Sequence, residues 1–251
     1  MRYLFTPEGE AALAAVMRCK PLLAFDFDGT LAPIVALPGE ARVPLPVAQR
    51  LQRLAQRLPV AVISGRRVAD MQERLLFEPR YVIGNHGAED PSVGRGTELA
   101  PALDGLRARL RAAAASLQEA GVWIEDKESS LALHYRLARD REAALAAIER
   151  VLADLDPGLR AFGGKMVANV VPAFAADKAD ALLDLVARSG AGAAVFAGDD
   201  VNDEPAFERA APHWLTVRVG QDAPESRARY FINSPLEMRL MLDRMLAAAE
   251  S

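Results

Sequence analysis

Asp26 and Asp28 stand two residues apart in FDFDGT, directly after the apolar run Leu22–Phe25, and a second acidic group, Asp199, Asp200 and Asp203, follows the apolar run at 193–197. Two further polar clusters have the same setting: Ser64, Gly65 and Arg66 follow Val60–Ile63, and Asn85 and His86 follow the run at 81–84. If these runs are neighbouring parallel strands, all the clusters meet at the carboxyl edge of one sheet, where open α/β sheets bind ligands. Carboxylates gathered there repel one another unless their pKa values rise or a cation joins them. Oxygen ligands with no Cys or His among them suit a hard divalent ion, so the sequence calls for Mg²⁺.

The same residues suit phosphoryl transfer. Ser64, Gly65 and Arg66 mark a strand-to-helix turn, where a hydroxyl and backbone N–H groups can hold phosphate oxygens. Lys178 opens a helix and is the natural cation for both Asp26 and a transferred phosphoryl group. Asp26 can then attack phosphorus in line, while Asp28 protonates an alkoxide leaving group and later activates water. Plainer readings stand beside these. A Ser at a strand end is often a helix cap, and a Lys at a helix start is often solvated. Asp200 and Glu204 serve either the cation or the helix dipole, and His86 is either a structural histidine bonded to backbone or part of a sugar pocket.

The elements that must position these groups follow from the pattern. Thr6, Pro7 and Glu8 predict a capped helix before Lys20. Strands at Leu22–Phe25, Val60–Ile63, 81–84 and 193–197 alternate with helices at 46–58, 68–76 and 178–188. That alternation predicts an α/β fold, a doubly wound, Rossmann-like parallel-sheet core. Between 101 and 171 the pattern becomes helix, hairpin, helix, hairpin, an inserted α+β cap. The expected domains are a core over 1–102, a cap over 103–173 and the rest of the core over 174–251.

The net charge of -4, with 30 Lys and Arg spread along 251 residues, argues against a nucleic-acid partner. Cys19 is the only cysteine, so no disulfide forms within the chain and its thiol is expected to be inert. Glu8 and Glu10 interrupt the place of a signal segment, and no stretch is long and apolar enough to span a bilayer. The expectation is a cytoplasmic protein without a membrane partner, taken as a monomer.

FDFDGTLAPI, VISGR, Lys178 and GDDVND resemble the motifs of haloacid dehalogenase superfamily phosphatases. More narrowly, NHGAE, EDKESSLALHYR, GKMV and GDDVNDEPAF resemble the trehalose-6-phosphate phosphatase family over essentially the whole chain. The resemblance implies hydrolysis of a sugar phosphate, trehalose 6-phosphate, through an aspartyl-phosphate. It makes Asp26 the nucleophile, Asp28 the acid and base, and Ser64 and Lys178 phosphate ligands. Asp26, Asp28 through its backbone carbonyl, and Asp199 would hold Mg²⁺, with Asp203 beside it and Asp200 the competing choice. Glu125, Lys127, His134 and Arg136 map onto the sugar contacts, joined by Arg66, His86 and Asn169. The chain departs from the family pattern E-x-[KR]-P, reading Asn169, Val170, Val171, Pro172, and Ala179 replaces the usual glycine after the motif lysine. These changes bear on the sugar, so a sucrose- or glucosylglycerate-type phosphate is the alternative substrate. A phosphosugar mutase or a non-catalytic sugar-phosphate binder are more distant alternatives.

Overall fold

Thr6 caps the first helix as its sequence predicts. After a short strand β1 (Arg2–Tyr3), its side-chain oxygen accepts the Gly9 amide at 3.2 Å and Pro7 enters the first turn of α1 (Pro7–Arg18). Next come β2 (Leu22–Phe25), α2 (Leu45–Ala55), β3 (Val60–Ile63), α3 (Val68–Gln72) and β4 (Tyr81–Ile83). α2 ends at Ala55, short of the expected residue 58, and Pro59 disfavours helical backbone at Leu58 beyond it. α3 stops short of 76, where Leu76 takes a left-handed φ of 56°. The structure, a computed structural model, describes residues 1–35 and 38–250, apart from the side chains of Pro38 and Thr97.

The chain then forms α4 (Asp104–Ala112), α5 (Ala114–Glu119), β5 (Trp123–Asp126), β6 (Leu131–His134), α6 (Arg141–Leu152), β7 (Leu159–Gly164) and β8 (Val167–Pro172). One helix was expected before β5. It is broken at Ala113, whose φ and ψ of -92° and 3° leave the helical well. The four strands make an antiparallel sheet in the order β5-β6-β8-β7. Period-2 alternation divides its faces. Leu131, Leu133, Leu159 and Val170 pack with Leu106, Leu110, Leu117 and Ile148 from the helices. The opposite face carries Trp123, Glu125, Lys127, His134 and Asn169.

The last segment comprises α7 (Lys178–Ser189), β9 (Ala194–Gly198), α8 (Glu204–Glu208), β10 (Leu215–Val219), β11 (Tyr230–Ile232) and α9 (Met238–Glu250). α7 is tightly delimited: Asp177 and Asp180 form a reciprocal capping box, and Gly190 closes the far end with φ 72°. The parallel sheet has seven strands in the order β1-β11-β10-β9-β2-β3-β4. α9 lies against α1 and α2 and buries Met238, Met241, Leu242, Met245 and Leu246, spaced as one helix face. No described helix is long and apolar enough to cross a membrane.

Two compact units emerge, residues 1–87 with 176–251, and residues 88–175. The expected cap of 103–173 falls inside the second. That unit also takes in Ala88 and Leu99, which pack with Val171 and Ala175. In the first unit the chain runs from β2 outward to β3 and β4 on one side and later returns to β9 and β10 on the other. The strand order reverses between β2 and β9, which opens a crevice at their carboxyl ends.

Candidate active site

Asp26 and Asp199 follow the two strands that flank this reversal. Phe25 and Ala197 are register partners, and the Asp26 amide donates to the Ala197 carbonyl at 2.9 Å. Lys178, the first residue of α7, sends Nζ to Asp26 Oδ1 at 2.6 Å and Asp203 Oδ1 at 2.7 Å. The other oxygen of Asp203 accepts the amides of Asp199 and Asp200, both at 3.0 Å. Thr30 donates its hydroxyl to Asp199 Oδ1 at 3.3 Å. All these side chains are buried, Lys178 to 1 % exposure and Asp26 to 5 %.

Burial pushes the Asp26 carboxyl well above the usual range; Lys178 opposes that rise, while Asp203 and Asp199 add to it. Burial alone would lower the Lys178 ammonium, but Asp203 and Asp26 outweigh it and hold it above its ordinary value. Oxygens of Asp26, Asp199 and Asp203 lie within 4.8 Å of one another. One ammonium cannot balance three buried carboxylates, and this all-oxygen donor set fits a hard divalent cation. Asp203 already spends one oxygen on Lys178 and the other on the turn, so holding those groups is its first task. Asp200 stands outside the cluster; its oxygens accept the Val201 amide at 2.8 Å and the Asn202 side chain at 3.1 Å.

Asp28 is held by a different cation. Its two oxygens accept Arg66 Nε and Nη2 at 2.7 and 2.8 Å, and its carboxylate is not part of the acidic cluster. Arg66 thus pairs with an acid of the same unit. The Ser64 hydroxyl accepts the Arg66 amide at 3.2 Å, and the Ser64 carbonyl accepts the His86 amide at 2.8 Å. Asn85 and His86 have φ of 48° and 60°, a tight left-handed pair that folds the chain after β4 back onto this loop. The His86 ring lies against Gly65, where an added Cβ would come within 2.3 Å of it. The structure therefore places His86 beside Ser64 and Gly65, the phosphate-binding candidates.

Gly29 shows how closely the loops approach. It has φ 84°, and a Cβ there would sit 2.0 Å from Asp199 Oδ2. Gly29→Ala is expected to destabilise by about 1–3 kcal/mol and to displace Asp199. Thermal melting in metal-free buffer tests it; an unchanged melting curve would show that the loop has room.

In the second unit, Glu125 bonds His134 Nε2 at 2.9 Å and lies 3.6 Å from Lys127 Nζ. Trp123 stacks on His134 with ring centroids 4.9 Å apart. Register aligns Glu125, Ala132, Asn169 and Phe162 in one row across the sheet. Asn169 is 2 % exposed and its amide nitrogen has no partner among the described residues. Arg136 donates to the Lys165 carbonyl at 3.3 Å.

Sequence reasoning gave no role to Thr30, Trp123 or Asp70. Each carried a signal: Thr30 closes DFDGT, Trp123 shares the strand alternation of Glu125, and Asp70 follows Arg66 by one helical turn.

Residues 24–234 match the family model for trehalose-phosphatase. The chain belongs to the trehalose-phosphatase family. Trehalose-phosphate phosphatase of Mycobacterium tuberculosis (strain H37Rv) is 35% identical over 240 residues, covering 90% of this chain and 61% of its own length. Its counterpart in Mycolicibacterium paratuberculosis is 36% identical over 244 residues, covering 90% and 62%. The chain thus spans about three-fifths of the curated trehalose-phosphatase relatives it matches. Among solved structures, the C-terminal domain of the C. albicans trehalose-6-phosphate phosphatase aligns with TM-score 0.78 and 19% identity, over 95% of this chain and 96% of that one. A trehalose-6-phosphate phosphatase related protein aligns with TM-score 0.73 and 24% identity, over 92% and 100%. These likenesses establish a shared fold.

Proposed function

We propose that the chain hydrolyses trehalose 6-phosphate to trehalose and phosphate, with Mg²⁺ as cofactor and an aspartyl-phosphate on Asp26 as intermediate. The observation that carries this reading is the buried Asp26, gripped by Lys178 beside two further acids at the sheet's reversal point. Membership of the trehalose-phosphatase family supports the substrate.

Asp26 and Asp199 would hold the Mg²⁺, with the Asp28 backbone carbonyl and Asp203 completing its surroundings. When bound, the ion supplies positive charge against the phosphoryl oxygens. The protein's own groups do the rest. Ser64 and the Gly65 amide bind phosphate oxygens, and Lys178 adds a fixed positive charge. A carboxylate oxygen of Asp26 forms a bond to phosphorus as the bond to the sugar oxygen breaks, and Asp28 gives that oxygen its proton. Asp28 then takes a proton from water, whose oxygen attacks phosphorus and frees Asp26 and inorganic phosphate. Glu125, Lys127, His134 and Asn169, on one face of the antiparallel sheet, recognise sugar hydroxyls.

Asn169 favours a second reading. Its buried, unpartnered amide offers a neutral donor where the family pattern has Glu, which suits a sucrose- or glucosylglycerate-type phosphate. A panel of trehalose 6-phosphate, sucrose 6-phosphate, glucosylglycerate phosphate and glucose 6-phosphate decides between them by kcat/KM. Trehalose 6-phosphate is expected to lead by on the order of 100-fold or more, and chelation of divalent ions to stop turnover. A lead for another sugar overturns the substrate assignment; undiminished turnover in chelator overturns the metal.

A further inference from the structure

Asp70, on α3, lies between two arginines one helical turn to either side, Arg66 and Arg74. Its Oδ2 accepts Arg66 Nη1 at 2.8 Å, and its Oδ1 accepts Arg74 Nε at 2.9 Å and Nη2 at 2.5 Å. Arg74 is buried and is anchored in turn by donating Nη1 to the carbonyls of Gly39 and, at 3.5 Å, Ala41. The opposite edge of Arg66 grips both oxygens of Asp28, and its guanidinium lies over the Phe27 ring, 5.2 Å from the centroid. A continuous chain of ion pairs therefore runs from two backbone carbonyls through Arg74, Asp70 and Arg66 to Asp28.

We propose that Asp70 is a positioning residue for Asp28, acting through Arg66 by fixing the plane of its guanidinium. A guanidinium on a flexible stem can satisfy a carboxylate from many directions, but one whose Nη1 is already committed presents its remaining edge in one orientation. Burial would raise the Asp70 carboxyl, but the hydrogen bonds from Arg74 and Arg66 outweigh it and hold the group below the usual range, so it stays charged for this task. Arg66 precedes α3 and its N-cap Arg67, so helix geometry does not fix its side chain. The inference rests on the acid and base role given to Asp28 above, because that role needs one carboxyl in one place for two proton transfers.

The test compares Asp70→Asn and Asp70→Glu with the unaltered chain on trehalose 6-phosphate and p-nitrophenyl phosphate, both with Mg²⁺. A sugar alkoxide needs a proton to leave, whereas nitrophenolate does not. Asp70→Asn is expected to lower kcat on trehalose 6-phosphate by about 10–100-fold with KM within about threefold. Nitrophenolate release in the first turnover should stay unchanged, and Asp70→Glu should recover part of the loss. Equal losses on both phosphates, or a loss that follows the melting temperature, would reduce Asp70 to a structural ion pair and overturn the inference. An active unaltered chain with an equally active Asp70→Asn variant overturns this inference alone. An unaltered chain inactive on both phosphates overturns the proposed function and this inference together. If only p-nitrophenyl phosphate is turned over, the substrate assignment fails, and the sugar phosphate arm is repeated with whichever alkyl phosphate the chain accepts.

Discussion

Asp26→Asn is expected to lower phosphate release by on the order of 10⁴-fold or more while leaving the chain at least as heat-stable in metal-free buffer. The amide is isosteric with the carboxylate but cannot form the phosphoryl ester. Stability is expected to hold because burial and the neighbouring Asp203 and Asp199 disfavour the Asp26 charge, and Lys178 keeps its 2.7 Å bond to Asp203. Removing one negative charge from a cluster with too little positive charge relieves repulsion. The same variant should bind Mg²⁺ more weakly, so the ion should raise its melting temperature less than that of the unaltered chain. Phosphate release and melting curves with and without Mg²⁺ check both halves. Retained turnover removes Asp26 as nucleophile, and a melting temperature lowered by many degrees removes the electrostatic argument.

Lys178→Met should have the largest effect on stability. It leaves Asp26, Asp199 and Asp203 buried within 4.8 Å of one another with no cation among them. Breaking a buried pair this way costs about 3–5 kcal/mol, which for a chain of this size lowers Tm by on the order of 10 °C. The pH dependence has a definite sign. A carboxyl whose folded pKa is raised, as Asp26's is, contributes stability present below its ordinary value near 3.8 and lost as pH rises through the folded value. Without Lys178 that rise is larger, so the deficit should widen from acidic toward neutral buffer. Excess Mg²⁺ should recover part of it. Melting at several pH values with and without Mg²⁺ measures this; a deficit that does not change with pH would mean that lost packing, not lost charge, is responsible.

Much of the fold was legible because its signals are local. Leu22–Phe25 and Val60–Ile63 form strands at their expected bounds, and Thr6 and Asp140 cap the helices they precede. The alternation of β5 and β6 puts Glu125 and His134 on one face. Errors came where a local signal was overridden. α2 ends before Pro59, α3 ends before the left-handed Leu76, and a break at Ala113 hid inside an alanine-rich stretch. The segment after Glu204 received no assigned elements, although Met238, Met241, Leu242 and Met245 carried a helical period there.

The sequence by itself determined which chemistry-bearing residues follow strands, because apolar period and turn residues are written within a few positions of one another. Sequence position named Lys178 for Asp26, but only the tertiary structure decided that Asp203 shares it and that Arg66 serves Asp28. Lys178 pairs with Asp26 across 152 residues, while Arg66 takes Asp28, only two residues further on. That division depends on strand order, register and the side of the sheet each crossover takes, none of which a local pattern encodes. It also settled that Asp203, rather than Asp200, stands in the acidic cluster, since the turn after β9 points one carboxylate inward and uses the other to cap itself.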